Sequence, residues 1–158
     1  MITKFKLFEF NDFSSPENMI NYYAQKGYIN QIKQMISDGT DIDAISDVEL
    51  TPLLSACREG EIETVEYLIM NGADVNFVGN TGKYNALIIT ALNEEELDIF
   101  EILIDAGCNW NQKNTDNEDF IDILLKKRKM YIFNQLKKSY PEKYDLYLKK
   151  KKSKEFNL

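Results

Sequence analysis

Three five-residue blocks of nearly the same wording, Gly39-Thr40-Asp41-Ile42-Asp43, Gly72-Ala73-Asp74-Val75-Asn76 and Gly107-Cys108-Asn109-Trp110-Asn111, stand 33 and then 35 residues apart. A chain that repeats itself at such a period folds as a stack of like units, each burying a face it cannot bury alone. Between the blocks the apolar positions hold register: Ile29, Ile62 and Leu97; Ile32, Val65 and Phe100; Met35, Leu68 and Leu103; Ile36, Ile69 and Ile104. Within a unit these fall at i, i+3, i+6 and i+7, one face of a helix. That helix runs into the Gly of the block, which takes a left-handed C-terminal cap without a Cβ clash. Ahead of it, Thr51-Pro52-Leu53-Leu54-Ser55-Ala56-Cys57 offers a hydroxyl N-cap, Pro at the first helical position and small residues for close packing, before Gly60 turns the chain. One unit reads as helix, turn, helix, Gly cap and extended loop.

This pattern resembles the ankyrin repeat, with a period of about 33 residues and an opening Thr-Pro-Leu-His. The middle unit matches through Thr51-Pro52-Leu53 and Gly72-Ala73-Asp74-Val75-Asn76; Asn85-Ala86-Leu87 and Asp119-Phe120-Ile121 stand in the next two units, and the family's His is Leu54, Ile88 and Asp122. With no His in the chain, the hydrogen bonds that this residue usually makes between repeats must be replaced or forgone. The resemblance covers residues 18 to 137 and implies an all-α fold, an ankyrin-repeat solenoid of stacked antiparallel helix pairs with finger loops.

Four units and two extensions are expected. The repeat domain spans 16–138, in units 16–43, 44–76, 77–111 and 112–138. Residues 1–15, with Phe5, Phe8, Phe10 and Phe13, are too apolar for a free tail and should fold back over the first unit. Ser14 or Ser15, followed by Pro16 and Glu17, reads as a helix start. The fourth unit has Lys126, Lys127, Arg128 and Lys129 where an inter-helix Gly would stand, as suits a terminal cap. Residues 139–158 form a lysine-rich tail in which Tyr144 and Tyr147 suggest a further helical turn or two. The change of spacing from 33 to 35 places one inserted residue between Phe77 and Tyr84 and another in Asn93-Glu94-Glu95-Glu96, both loops.

At 158 residues a single domain is expected, burying roughly 70% of the unfolded surface. The longest apolar stretch, Ala86 to Leu92, falls far short of the ~20 residues of a membrane span, and residues 1–13 lack the order of a signal peptide. A cytoplasmic address and a monomer are the expectation. Cys57 and Cys108 stand at small buried positions of different units, so two reduced core thiols are expected, with no metal-ligand spacing around them.

Charge divides the chain. Residues 1–125 hold 23 acidic against 7 basic side chains, a net of −16, and residues 126–158 hold 12 basic against 3 acidic, a net of +9. The repeat body should repel phosphates and so is not expected to bind nucleic acid or an anionic membrane; the run Lys149 to Lys152 with Lys154 is free of that objection. Superficial motifs fall away. Gly79-Asn80-Thr81-Gly82-Lys83 lacks the spacing and the Ser or Thr of a phosphate loop. A calcium loop starting at Asp41 would have Ser46 at its Gly and Pro52 at its Glu. Without His there is no hydrolytic triad or zinc-bound water to suggest an enzyme, and neither metal nor cofactor is expected.

Recognition remains. In ankyrin-like proteins the finger tips and the exposed side of each first helix hold partners along a concave surface. By position, the middle finger then presents Ile45, Asp47, Val48 and Leu50, with Arg58 and Glu59 on its helix; the next unit presents Lys83 and Tyr84, with Leu92 and Asn93; the last presents Asp116 and Glu118, with Lys126. Ile45, Val48, Leu50, Tyr84 and Leu92 are apolar at generally exposed positions, as in a small hydrophobic hot spot rimmed by charge. Ile45 and Val48 packed between neighbouring fingers is the plain alternative, and Trp110, at the Val position of its block, is expected in the core. The function so implied is non-catalytic binding of another protein with a basic surface; by family analogy this includes neutralising a basic toxin, as bacterial immunity proteins do. The rival is an adaptor anchored to RNA or an anionic membrane by the basic tail.

Overall fold

A computed structural model of the chain describes residues 15–79, 82–92 and 97–155. Phe5, Phe8, Phe10 and Phe13, together with Thr81 and Asn93 to Glu96, lie outside the described residues. Nine helices and no strand occur among the described residues: α1 (Pro16–Gln25), α2 (Ile29–Ser37), α3 (Pro52–Glu59), α4 (Ile62–Met70), α5 (Ala86–Leu92), α6 (Leu97–Asp105), α7 (Phe120–Lys126), α8 (Met130–Ser139) and α9 (Pro141–Glu155).

Each first helix is started by a side-chain acceptor on the residue before it. Ser15 Oγ accepts from Asn18 N, Thr51 Oγ1 from Leu54 N, Asn85 Oδ1 from Ile88 N and Asp119 Oδ1 from Asp122 N. The residues that depart from Thr therefore keep its task, since Asn and Asp cap at least as well. Asp122, at the family's His position, closes a capping box with Asp119, while Leu54 and Ile88 at that position are buried.

Helix ends are as uniform. At the inter-helix turns Tyr28 N donates to Tyr23 O, Glu61 N to Ala56 O and Lys129 N to Leu124 O, with Gly27, Gly60 and Arg128 in the left-handed region at φ 68°, 79° and 57°. The second helices end the same way, through Thr40 N to Met35 O, Ala73 N to Leu68 O and Cys108 N to Leu103 O, with Gly39, Gly72 and Gly107 left-handed. This six-to-one closure satisfies carbonyls that the helix leaves open. Arg128 has a Cβ where Gly27 and Gly60 have none.

The five-residue blocks form a ladder. Asp41, Asp74 and Asn109 each accept from the backbone N–H two residues on, fixing the loop, while Asp43 accepts from Asp74 N at 3.0 and 3.2 Å and Asn76 from Asn109 N at 2.8 Å. One set of bonds shapes each block and the other ties it to the next unit.

The first helices stack in one row, α1 on α3, α3 on α5 and α5 on α7, and each packs on the second helix of its own unit. Leu53, Leu54, Leu68, Leu87, Ile88 and Leu103 fill the space between rows and are essentially unexposed. Toward the C-terminus aromatic rings take over: Trp110 meets Phe120 edge-on at 5.3 Å and Tyr140 at 6.2 Å, and Phe133 meets Tyr144 at 5.6 Å. Trp110 and both cysteines are buried, and neither cysteine is in a disulfide.

Residues 141–155 form a longer helix than the turn or two that Tyr144 and Tyr147 suggest. Tyr140 donates to Asp105 Oδ1 at 3.0 Å and Lys143 to Ile104 O at 3.1 Å, at the C-terminal end of α6, where a cation is favoured. Three residues past Tyr144, the Tyr147 hydroxyl reaches both oxygens of the buried Asp119 at 3.0 and 2.9 Å. Tyr144 and Tyr147, on one face of α9, and Tyr140 just before it thus dock the helix across the end of the stack.

Candidate functional site

Fingers carry the candidate binding residues, and their shape decides which side chains face outward. In the middle finger Ser46 N donates to Leu50 O at 3.0 Å and Glu49 N to Ser46 O at 2.8 Å, with Glu49 left-handed at φ 60°. This is a three-residue hairpin loop closed by a bulge, where Gly or Asn is the usual left-handed residue. Left-handed Gly82, donating to Gly79 O, and Asn117, donating to Asn114 O, hold the place of Glu49 in the other fingers. The first four positions of the finger are thus 33 residues apart, while the caps Thr51 and Asn85 are 34 apart, so the extra residue of the third finger lies in Lys83-Tyr84.

The loop leaves Ile45 and Val48 42% and 68% exposed. Leu50 corrects the expectation of an apolar contact there. At 2% exposure it is a core side chain, turned inward as the chain leaves the bulge toward Thr51. Tyr84 and Leu92 are half-buried and packed against the core, Arg58 is half-buried, and Asp47, Glu59, Lys83, Asp116 and Lys126 are exposed. Asn93 lies outside the described residues.

Most of the charged members already have a polar or aromatic partner. Asp47 accepts from Asn18 Nδ2 at 2.7 Å, and its backbone N–H donates to Asn18 Oδ1 at 2.9 Å. Glu59 Oε1 receives Gln25 Nε2 at 3.0 Å and Arg58 Nε at 3.1 Å. Lys126 Nζ sits 3.0 Å from Glu118 Oε1; that bond lowers the carboxyl and raises the ammonium from their ordinary values. Lys83 lies over the Tyr84 ring at 5.1 Å, and its ammonium is raised chiefly by its hydrogen bond with Tyr84, with the Asp116 charge a lesser contribution.

Sequence reading passed over Asn18 and Asn21. Asn21 is buried, donating to Ala44 O at 2.8 Å and accepting from Ser55 Oγ at 2.7 Å, which ties the first unit to the second. Asn18, Asn21 and Gln25 recur at i, i+3 and i+7 on α1, and that polar stripe was the available signal. These bonds supply between units one and two what the absent His does not. The resulting strip is preformed: apolar finger tips over a floor of carboxylates and amides, with Arg58 paired to Glu59 and Lys126 to Glu118.

Comparison with known proteins agrees with this architecture. The family model for ankyrin repeats, in 3 copies, matches residues 20–114. An ankyrin repeat protein of Fowlpox virus is 31% identical over 95 residues, and ankyrin repeat and SOCS box protein 5 of Oryctolagus cuniculus 32% over 94 residues, each stretch covering 59% of this chain. A palmitoyltransferase of Saccharomyces uvarum is 31% identical over 87 residues, 55% of this chain. The matched stretches span only 28%, 27% and 12% of those three proteins. The helix pair α7 and α8 lies beyond the matched residues yet stacks as a fourth unit. Among the described residues, no helix is long and apolar enough to cross a membrane. Ankyrin repeats are generally protein–protein interaction modules and typically not enzymes, and this chain belongs to the ankyrin repeat family.

Proposed function

We propose that the chain is a non-catalytic binding module whose finger side and first helices receive another protein with a basic surface. The observation that carries this reading is the second finger, where Ile45 and Val48 stand exposed on either side of Asp47. Exposed apolar side chains on a hydrogen-bonded hairpin are the anchors that a partner's pocket can desolvate, and their ordering cost is already met by the fold. Carboxylates at 47, 59, 116 and 118 favour a cationic partner, and the −16 net charge of residues 1–125 would speed its approach. The mode of action is steric: a preformed surface occupies the partner's own site. Neutralisation of a basic toxin, the role of an immunity protein, is one form of this reading and rests on family analogy.

The test is capture of binding partners by the intact chain and by an Ile45→Ser/Val48→Ser variant, with circular dichroism to show that both are folded. A partner lost from the variant, and eluted by salt from the wild type, supports the reading. Equal capture by both forms would sink it.

A further inference from the structure

The fourth unit differs from the others in what its second helix shows to solvent. α4 exposes Glu63, Glu66 and a single apolar side chain, Met70, and α6 exposes Asp98 and Asp105. In contrast, the end of α7, the turn after it and α8 expose Leu125, Lys127, Arg128, Met130, Tyr131 and Lys138. Between Asp122 and Glu142 the sequence holds six cations and no carboxylate. Leu125, Met130 and Tyr131 are 44%, 45% and 68% exposed, too much apolar surface for a face whose only task is solubility.

The backbone gives a second, independent indication. Arg128 occupies the left-handed position that is Gly27 in the first unit and Gly60 in the second, within the same hydrogen-bonded turn. A side chain with a Cβ is disfavoured there, so a guanidinium stands at the tip of this helix hairpin against local backbone preference. Backbone conformations of this kind cluster at binding sites.

We propose that the α7–α8 hairpin tip of this unit is a docking surface for an anionic lipid bilayer. Lys127, Arg128 and Lys138 would meet headgroup phosphates and carboxylates, while Leu125, Met130 and Tyr131 enter the boundary between headgroups and acyl chains. A bilayer fits better than RNA. The apolar side chains cluster at a helix-hairpin tip, whereas single-stranded RNA calls for a charged groove with stacked rings. This inference is independent of the finger-side reading, which concerns another surface and another partner.

The experiment is co-sedimentation of the full chain with phosphatidylcholine vesicles, with and without about one third phosphatidylserine. Single-stranded RNA and polyglutamate serve as competing ligands. Binding is expected only with phosphatidylserine, weakened by about tenfold or more in Lys127→Glu/Arg128→Glu and several-fold in Met130→Ser/Tyr131→Ser. Arg128→Gly is the decisive variant, because Gly suits the backbone: it should fold at least as stably as the wild type and still bind vesicles more weakly. The proposal is overturned if no vesicle binds, if these variants bind as the wild type does, or if RNA or polyglutamate binding is what they lose. It is equally overturned if reversal of Lys149 to Lys152 alone abolishes vesicle binding while Lys127→Glu/Arg128→Glu leaves it intact.

Discussion

Removing one oxygen atom from α9 should reveal how firmly that helix is part of the domain. In Tyr147→Phe the ring and its burial stay, so the transfer contribution is nearly unchanged and the loss is confined to the hydroxyl. That hydroxyl donates to both oxygens of Asp119 at 3.0 and 2.9 Å. Asp119 is only 2% exposed, so water cannot readily replace it. A hydrogen bond to a charged group contributes about 1.5–3 kcal/mol. The N-cap bond from Asp122 N at 3.0 Å remains, so a loss near 2 kcal/mol is expected, or about 4–8 °C in Tm for a chain of this size. The upper limit is set by local detachment of α9, which would relieve the carboxylate by exposing it. Denaturant unfolding gives the magnitude, and amide exchange in 141–149 shows whether α9 opens by itself. In an Asp119→Asn background the cap survives and the acceptor is neutral, so Tyr147→Phe should then cost only about 0.5–1.5 kcal/mol. A loss under about 0.5 kcal/mol in the wild-type background, with unchanged denaturant slope, would refute the docking of α9 onto the cap of α7.

Other outcomes are as definite. Leu68→Ala, at a fully buried position of α4, should destabilise by about 2–5 kcal/mol through lost transfer energy and a cavity, measured by urea unfolding. Burial pushes the Cys57 thiol up to about 12 and the Cys108 thiol to about 11, so an aromatic disulfide reagent at pH 8 should label both only after denaturation. Asp43 is raised above the ordinary carboxyl range, first by burial and then by the Asp41 and Asp74 charges, against the pull of the Asp74 N–H. A raised carboxyl makes the folded state bind protons more tightly, so it weakens the fold above its folded pKa and that deficit disappears as pH falls toward the unfolded value. Asp43→Asn, which copies Asn76, should therefore stabilise by less than about 1 kcal/mol at pH 7, with the gain fading on acidification; thermal melts across that range would show no such fading if the reasoning were wrong.

Periodicity made the helix pairs, their Gly caps and their core faces legible, because each rests on contacts within a unit or on the same contact repeated. The side chain of Leu50 was not legible. Whether it faces outward depends on the bulge at Glu49, and Glu is a poor signal for a left-handed residue that Gly82 and Asn117 announce clearly in the other fingers. The reach of α9 was hidden by its lysines, which mask a stripe of three tyrosines whose partners, Asp105, Phe133 and Asp119, lie on three different elements. Asn18 and Asn21 escaped for a related reason: their worth lies in Asp47, Ala44 and Ser55, which are 23 to 34 residues away.

The ladder of blocks also determines how the molecule should yield to a pull on its two ends. Asp43 holds Asp74, and Asn76 holds Asn109, so each rung couples one unit to its neighbour and none spans two. Load travelling along the stack meets these couplings in series, and the weakest gives way first while the rest stay closed. Extension should then proceed in steps, each releasing about 33 residues or roughly 110–120 Å of contour length, and an optical trap would record a staircase where a single rupture would mean that the units share their load.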